Sequence, residues 1–116
     1  MKSFRLAVAL VSLIALAGCR AHVVKISLTN TSAQPIKTII VDYPNATFGK
    51  DTLAPGETFS SPVKLIDTGA IKVQYTDAKG ANHSYTGPIV HQNAEGSIEI
   101  RLDQNSAAFT TNAAVR

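Results

Sequence analysis

Three stretches of this 116-residue chain alternate apolar and polar side chains with a period of two. Val24, Ile26 and Leu28 are interleaved with Lys25, Ser27 and Thr29; Ile71, Val73 and Tyr75 with Lys72, Gln74 and Thr76; Ile98, Ile100 and Leu102 with Glu99, Arg101 and Asp103. A strand sends successive side chains to opposite faces, so this pattern builds sheets with one buried and one wet face. A helix cannot use it, because at 3.6 residues per turn the same apolar residues would scatter around the cylinder. Nothing beyond the first 18 residues shows a helical period over ten residues. Whatever else the chain does, it must bury sheet faces against each other.

Turn residues punctuate the rest. Asn30-Thr31-Ser32 and Gln34-Pro35 separate the first strand from a second over Ile36 to Tyr43, with Ile39, Val41 and Tyr43 on one face and Thr38, Ile40 and Asp42 on the other. Pro44-Asn45 ends it, and Thr47-Phe48 reads as a brief extension before Gly49-Lys50-Asp51. In Leu53-Ala54-Pro55-Gly56-Glu57, proline presets φ and glycine supplies the positive φ of a type II turn. Thr58 to Leu65 is strand-like, but Pro62 cannot donate to a ladder, which demotes the segment to an edge or a bulged position. Asp77-Ala78-Lys79-Gly80 has the form of a type I turn closed by a left-handed glycine. The return strand, Asn82 to Thr86, is expected to end at Gly87-Pro88, with Ile89 and Val90 leading into a turn over Gln92 to Gly96.

Short strands with turn signals at this spacing predict an all-β fold, an antiparallel β-sandwich of six or seven strands over residues 23–103. Residues 104–116 read as a polar tail or a weak last strand. The run Ile26-Ser27-Leu28-Thr29-Asn30-Thr31-Ser32 and the later Leu53-Ala54-Pro55-Gly56-Glu57-Thr58 resemble the turns of small immunoglobulin-like domains of the bacterial cell envelope. The resemblance covers residues 23–65, and the cysteine pair and core tryptophan of antibody domains are missing. It implies an immunoglobulin-like sandwich and a non-catalytic role, without naming a ligand.

Ahead of the strands, Lys2 and Arg5 precede a run from Leu6 to Leu16 in which Ser12 is the one polar member. About a dozen apolar residues fall short of the roughly 20 that span a bilayer, so the run reads as a signal segment. It ends in Leu16-Ala17-Gly18-Cys19, which resembles the lipobox of bacterial lipoproteins at all four positions. That resemblance implies cleavage between Gly18 and Cys19, removal of residues 1–18, and acylation of Cys19, palmitate being a common acyl group. Residues 19–22 would then be the lipidated cysteine and a very short tether. Arg20, rather than Asp, after the cysteine points to the outer membrane if the source is Gram-negative. Ala15-Leu16-Ala17 also fits an ordinary secretory signal, which would release a soluble domain.

Composition narrows the function. The chain carries a formal +3, but without Lys2 and Arg5 nine Lys/Arg face eight Asp/Glu. Lys25, Lys37, Lys50, Lys64, Lys72 and Lys79 are singly spaced, so nucleic-acid binding is excluded as an expectation. Cys19 is the one cysteine. Its lipidation leaves no thiolate for metal or catalysis and no disulfide within the chain. No Gly-x-Ser-x-Gly elbow and no phosphate-binding glycine loop occurs, so the chain is not expected to be an enzyme or to hold a cofactor.

Among histidines, His83 and Tyr85 share one strand face and His91 sits in the following loop, so a His83/His91 metal site is conceivable. His22 reads as an interfacial side chain. Glu99 and Asp103 lie with Arg101 on a solvated face suited to cross-strand ion pairs. Asp42, Asp51, Asp67 and Asp77 fall in turn-rich surroundings. Asn30, Asn45 and Asn82 match the glycosylation pattern, which is idle in a bacterial lipoprotein.

The expectation is therefore an envelope lipoprotein bound to membrane lipid through Cys19, with a non-catalytic sandwich that contacts an envelope protein or polymer or serves structurally. The alternative is a small-ligand or metal-binding domain using the sandwich interior or His83/His91.

Overall fold

Each alternating stretch becomes a strand with its apolar side chains turned inward. The structure is a computed structural model that describes residues 22–115; the signal-like segment, Gly18 and Cys19 lie outside them. In chain order the strands are β1 (Val24–Asn30), β2 (Ile36–Tyr43), β3 (Ala46–Leu53), β4 (Thr58–Val63), β5 (Gly69–Thr76), β6 (Asn82–Val90), β7 (Ala94–Leu102), β8 (Ala107–Thr111) and β9 (Ala114–Val115). One sheet has the order β4-β1-β7-β8, with β9 also paired to β7; the other has the order β3-β2-β5-β6. The fold is a β-sandwich. Its pairings are antiparallel except β1 on β7, which run parallel with Ile26 opposite Ile98 and Leu28 opposite Ile100.

The core lies between the sheets. Val24, Ile26, Leu28, Ile98, Ile100 and Leu102 from one sheet meet Ile36, Ile39, Val41, Ile71, Val73 and Tyr75 from the other, each at most 2 % exposed. Burying each such side chain contributes about 2 kcal/mol. Matching β1 to β6 with strands B, C, C′, E, F and G of an immunoglobulin domain reproduces its central pairings. The place beside B is here filled by β7, which follows β6 in the chain and runs parallel to β1.

Among the described residues nine strands replace the expected six or seven, for local reasons. β3 is a full partner of β2 rather than a brief extension, reached through the two-residue Pro44-Asn45 hairpin turn with Asn45 at φ 68°. Its only strongly apolar members are Phe48 and Leu53, because it is an edge strand with a mostly wet surface. β6 does not stop at Gly87-Pro88. Its register on β5 slips between Thr86 and Ile89, so one extra residue is accommodated there as a bulge. Proline is tolerated because β6 is an edge, and a Cβ on Gly87 would fall 2.5 Å from the Phe109 ring of β8. The expected turn over Gln92–Gly96 contracts, since Ala94 already starts β7 and is buried.

The expected turn glycines take left-handed φ, 77° at Gly56 and 85° at Gly80. β4 with Pro62 is an edge, the first of the two places its proline allows. A second slip, of β2 on β5 between Lys37 and Ile40, surrounds Thr38 at φ 51°. A β-branched residue there costs about 1–2 kcal/mol. The slip lets both Ile36 and Ile39 enter the core.

Strand directions sort the connections into two sets. Residues 31–35, 54–57, 77–81 and 103–106 gather at the end where β1 finishes, the far end. Residues 44–45, 64–68, 91–93 and 112–113 gather where β1 begins, the near end.

Candidate functional site

The far end carries both buried polar residues of the described chain, Asn30 and Asp77. Asn30 closes β1 with its side chain fully buried. Its Nδ2 donates to Gln34 O at 2.8 Å and to Leu53 O at 2.9 Å, while its Oδ1 accepts from Ser32 N at 2.9 Å and Ser32 Oγ at 2.7 Å. Two donors and two lone pairs are thus all used, as burial of an amide requires. The same residue's backbone binds the 54–57 turn, through Glu57 O and Gly56 N.

Asp77 organises the next turn. Its Oδ1 accepts from Lys79 N and Ala81 N, both at 2.9 Å, and its Oδ2 lies 2.7 Å from His83 Nε2. The hydrogen bond with His83, followed by that from Ala81, holds the Asp77 carboxyl below the ordinary carboxylate range. His83 is opposite Tyr75 in the β5–β6 ladder, so both point inward. The imidazole lies 5.2 Å from the Tyr75 ring and 6.2 Å from the Tyr85 ring, nearly parallel to the latter. Burial, then the neighbouring Tyr85, pushes the Tyr75 phenol upward. Its hydroxyl lies 2.7 Å from Asp103 O and 3.0 Å from Ser106 O, and Tyr85 donates to Asn105 O at 2.7 Å.

Gln104 ties three loops together. Its Oε1 accepts from Ala78 N at 2.8 Å, and its Nε2 donates to Ser32 Oγ at 2.8 Å and Gln34 O at 3.2 Å. Beside this bridge lies a cleft of about 470 Å³ lined by Gln34, Asp77, Ala78, Lys79, Gln104 and Asn105. Its lining residues are polar types apart from Ala78, although carbon makes up more of the exposed wall than nitrogen and oxygen; the walls are fixed by hydrogen bonds to backbone, and Lys79 gives it one cation. It can take a polar side chain or a small polar ligand.

The sequence-level candidates are dispersed around this site. His83 belongs to it, but His91 lies just past the opposite end of β6. The length of β6, about 3.3 Å per residue, separates their backbone positions, so the structure does not bring the two histidines together. Among the described residues no group of three or more His, Cys, Asp or Glu gathers as metal donors. His22 Nδ1 is 3.8 Å from Glu95 Oε2 at the near end.

Glu99 and Arg101 do lie on a solvated face, but they approach each other along β7 at 3.9 Å rather than across strands. In register Glu99 faces Ser27 and Thr110, and Arg101 faces Thr29 and Ala108. Asp103 sits at the far end, where its Oδ1 accepts from Gln104 N. Asp67 is hydrogen-bonded to the Asn45 side chain.

Asn30, Asn45 and Asn82 are each occupied locally. Asn30 is buried, Asn45 is in the β2–β3 turn, and Asn82 Oδ1 accepts from Thr76 Oγ1.

Asn30, Gln104 and Tyr75 are the members of the site that sequence patterning did not single out. The one signal available was Asn30-Thr31-Ser32, whose Asx-type bond from Ser32 to Asn30 is local. No protein family, curated protein or solved structure matches this chain, so its role rests on its own residues.

Proposed function

We propose that the chain is a lipid-anchored protein of the bacterial cell envelope. Its sandwich is a non-catalytic module that presents the far-end polar cleft to an envelope protein or polymer. The observation that carries this reading is how little chain separates Cys19 from the core. Val24 is fully buried, and Gly96 N donates to Val23 O at 3.3 Å, so the fold is committed from Val23 onward. Arg20, Ala21 and His22 span at most about 10 Å. An acyl chain on Cys19 would therefore hold the near end at the headgroups and turn the far end outward. The far-end ionisable pair supports a binding role, since Asp77 spends its carboxylate on the turn and on His83, and His83 packs against Tyr75 and Tyr85.

Replacement of the acceptor of the lipid tests the proposal. Cys19→Ala is expected to move the protein from the membrane pellet to the soluble or unprocessed fraction, with loss of the diacylglyceryl mass. If the variant pellets as fully as the wild type, anchoring through Cys19 is wrong.

A further inference from the structure

Five large apolar side chains of the described residues stand exposed: Val23 at 39 %, Ile40 at 38 %, Ile66 at 55 %, Ile89 at 57 % and Val115 at 60 %. Single exposed aliphatics are ordinary on any protein surface. Their distribution is what informs, because only Ile40 lies away from the near end. Val23 precedes β1, Ile66 is in the 64–68 connection, Ile89 is the penultimate residue of β6, and Val115 pairs with Ala94 at the start of β7. Four separate segments thus deliver an aliphatic side chain to one end of the sandwich.

The backbone holds them out. The Gly87-Pro88 bulge inverts the alternation of β6, so that Val90 is buried and Ile89 is turned outward. Leu65 is fully buried and fixed by Asn93 N donating to Leu65 O at 2.9 Å, which leaves Ile66 on the opposite side. The acidic groups of this end are engaged: Asp67 with Asn45, and Glu95 beside His22. Lys64 is exposed. Exposed aliphatics gathered on one end suit the headgroup–acyl boundary of a bilayer, and Lys64 offsets one of its two carboxylates.

We infer that the near end is a membrane-docking face, with Ile66 and Ile89 entering the headgroup–acyl boundary and Val23 and Val115 flanking them. The inference rests on the anchor proposed above, which ends three residues before His22–Val23 and makes the bilayer the first surface this end meets. Lipid at Cys19 fixes distance; the aliphatic end fixes orientation, standing the strands up from the surface instead of letting the domain swing.

The test uses the full lipidated chain in vesicles of phosphatidylethanolamine and phosphatidylglycerol. Spin labels are placed at Ile66→Cys and Ile89→Cys, with Lys79→Cys at the far end as the reference; all three sites are exposed, so the fold tolerates them. The expected result is that both near-end labels are several-fold more accessible to oxygen, relative to a water-soluble nickel complex, than the Lys79→Cys label. Equal accessibility at all three sites in protein that floats with the vesicles overturns the docking face and leaves the anchor standing. Near-end labels shielded from both reagents mean that protein covers this end, which also overturns it. Protein that lacks the lipid mass and does not float overturns the anchor, and the docking face with it.

Discussion

Asn30 is the residue on which the far end turns. Its amide gives hydrogen bonds to two carbonyls, Gln34 O in the loop after β1 and Leu53 O at the end of β3. Asn30→Ala takes the side-chain donor from Leu53 O, while Gln34 O keeps Ser32 Oγ and Gln104 Nε2; it should cost about 1–3 kcal/mol, read as a lower urea midpoint. Asn30→Asp should cost more than alanine, because an acceptor-only carboxylate would face two carbonyl oxygens. An aspartate variant more stable than the alanine variant would contradict this role. Asp77 makes the same end acid-sensitive. Its carboxyl titrates below the ordinary 3.8 when folded, chiefly through His83. The unfolded chain therefore takes up that proton first, so the stabilisation is complete above about pH 4 and drains away as pH falls through the folded value. Thermal melts between about pH 5 and pH 2.5 should show a smaller loss for Asp77→Asn than for wild type. Parallel losses in the two chains would assign the acid sensitivity elsewhere.

At the scale of the strand, close approach and register carry the argument. Gly87 is inward-facing, and the Phe109 ring of β8 occupies the place of its missing side chain. Gly87→Ala puts a methyl group within 2.9 Å of Ile71 Cγ2 as well, between two neighbours with little room to retreat. The expected cost is about 1–3 kcal/mol. In a Phe109→Leu background the same change should cost clearly less, since the two sites share one contact; full additivity would refute the packing account. Such contacts also explain what could be read from the chain. Uninterrupted alternation made β1, β5 and the second half of β7 legible. The slips at Thr38 and Gly87-Pro88 invert alternation midway, so the burial of Ile36 and the exposure of Ile89 could not be anticipated by counting in twos. β3 was hidden because an edge strand needs few apolar residues. The far-end site was hidden for another reason: Gln104 meets Ala78 and Ser32 across 26 and 72 positions of sequence, and no local pattern encodes that.

For the molecule as a whole, the two ends differ in kind. One presents aliphatic side chains, the other a hydrogen-bonded polar frame around Lys79. A recognition role for the far end predicts that envelope crosslinking recovers a partner with the wild type, and several-fold less of it with Lys79→Glu. Ile40→Glu, on the outer face of the second sheet, should recover it undiminished. Equal recovery with Lys79→Glu would move the contact away from the cleft, and recovery of nothing by the wild type would remove the interaction role. The parallel β1–β7 pairing adds a mechanical consequence. β1 is clamped on both flanks, by β4 and by β7, and it is the first strand after the proposed anchor. A tug between bilayer and partner would pull along the β1 axis and load both ladders in shear, many bonds together. A terminal edge strand would instead unzip one bond at a time. The strand next to the proposed anchor is thus one that resists tearing.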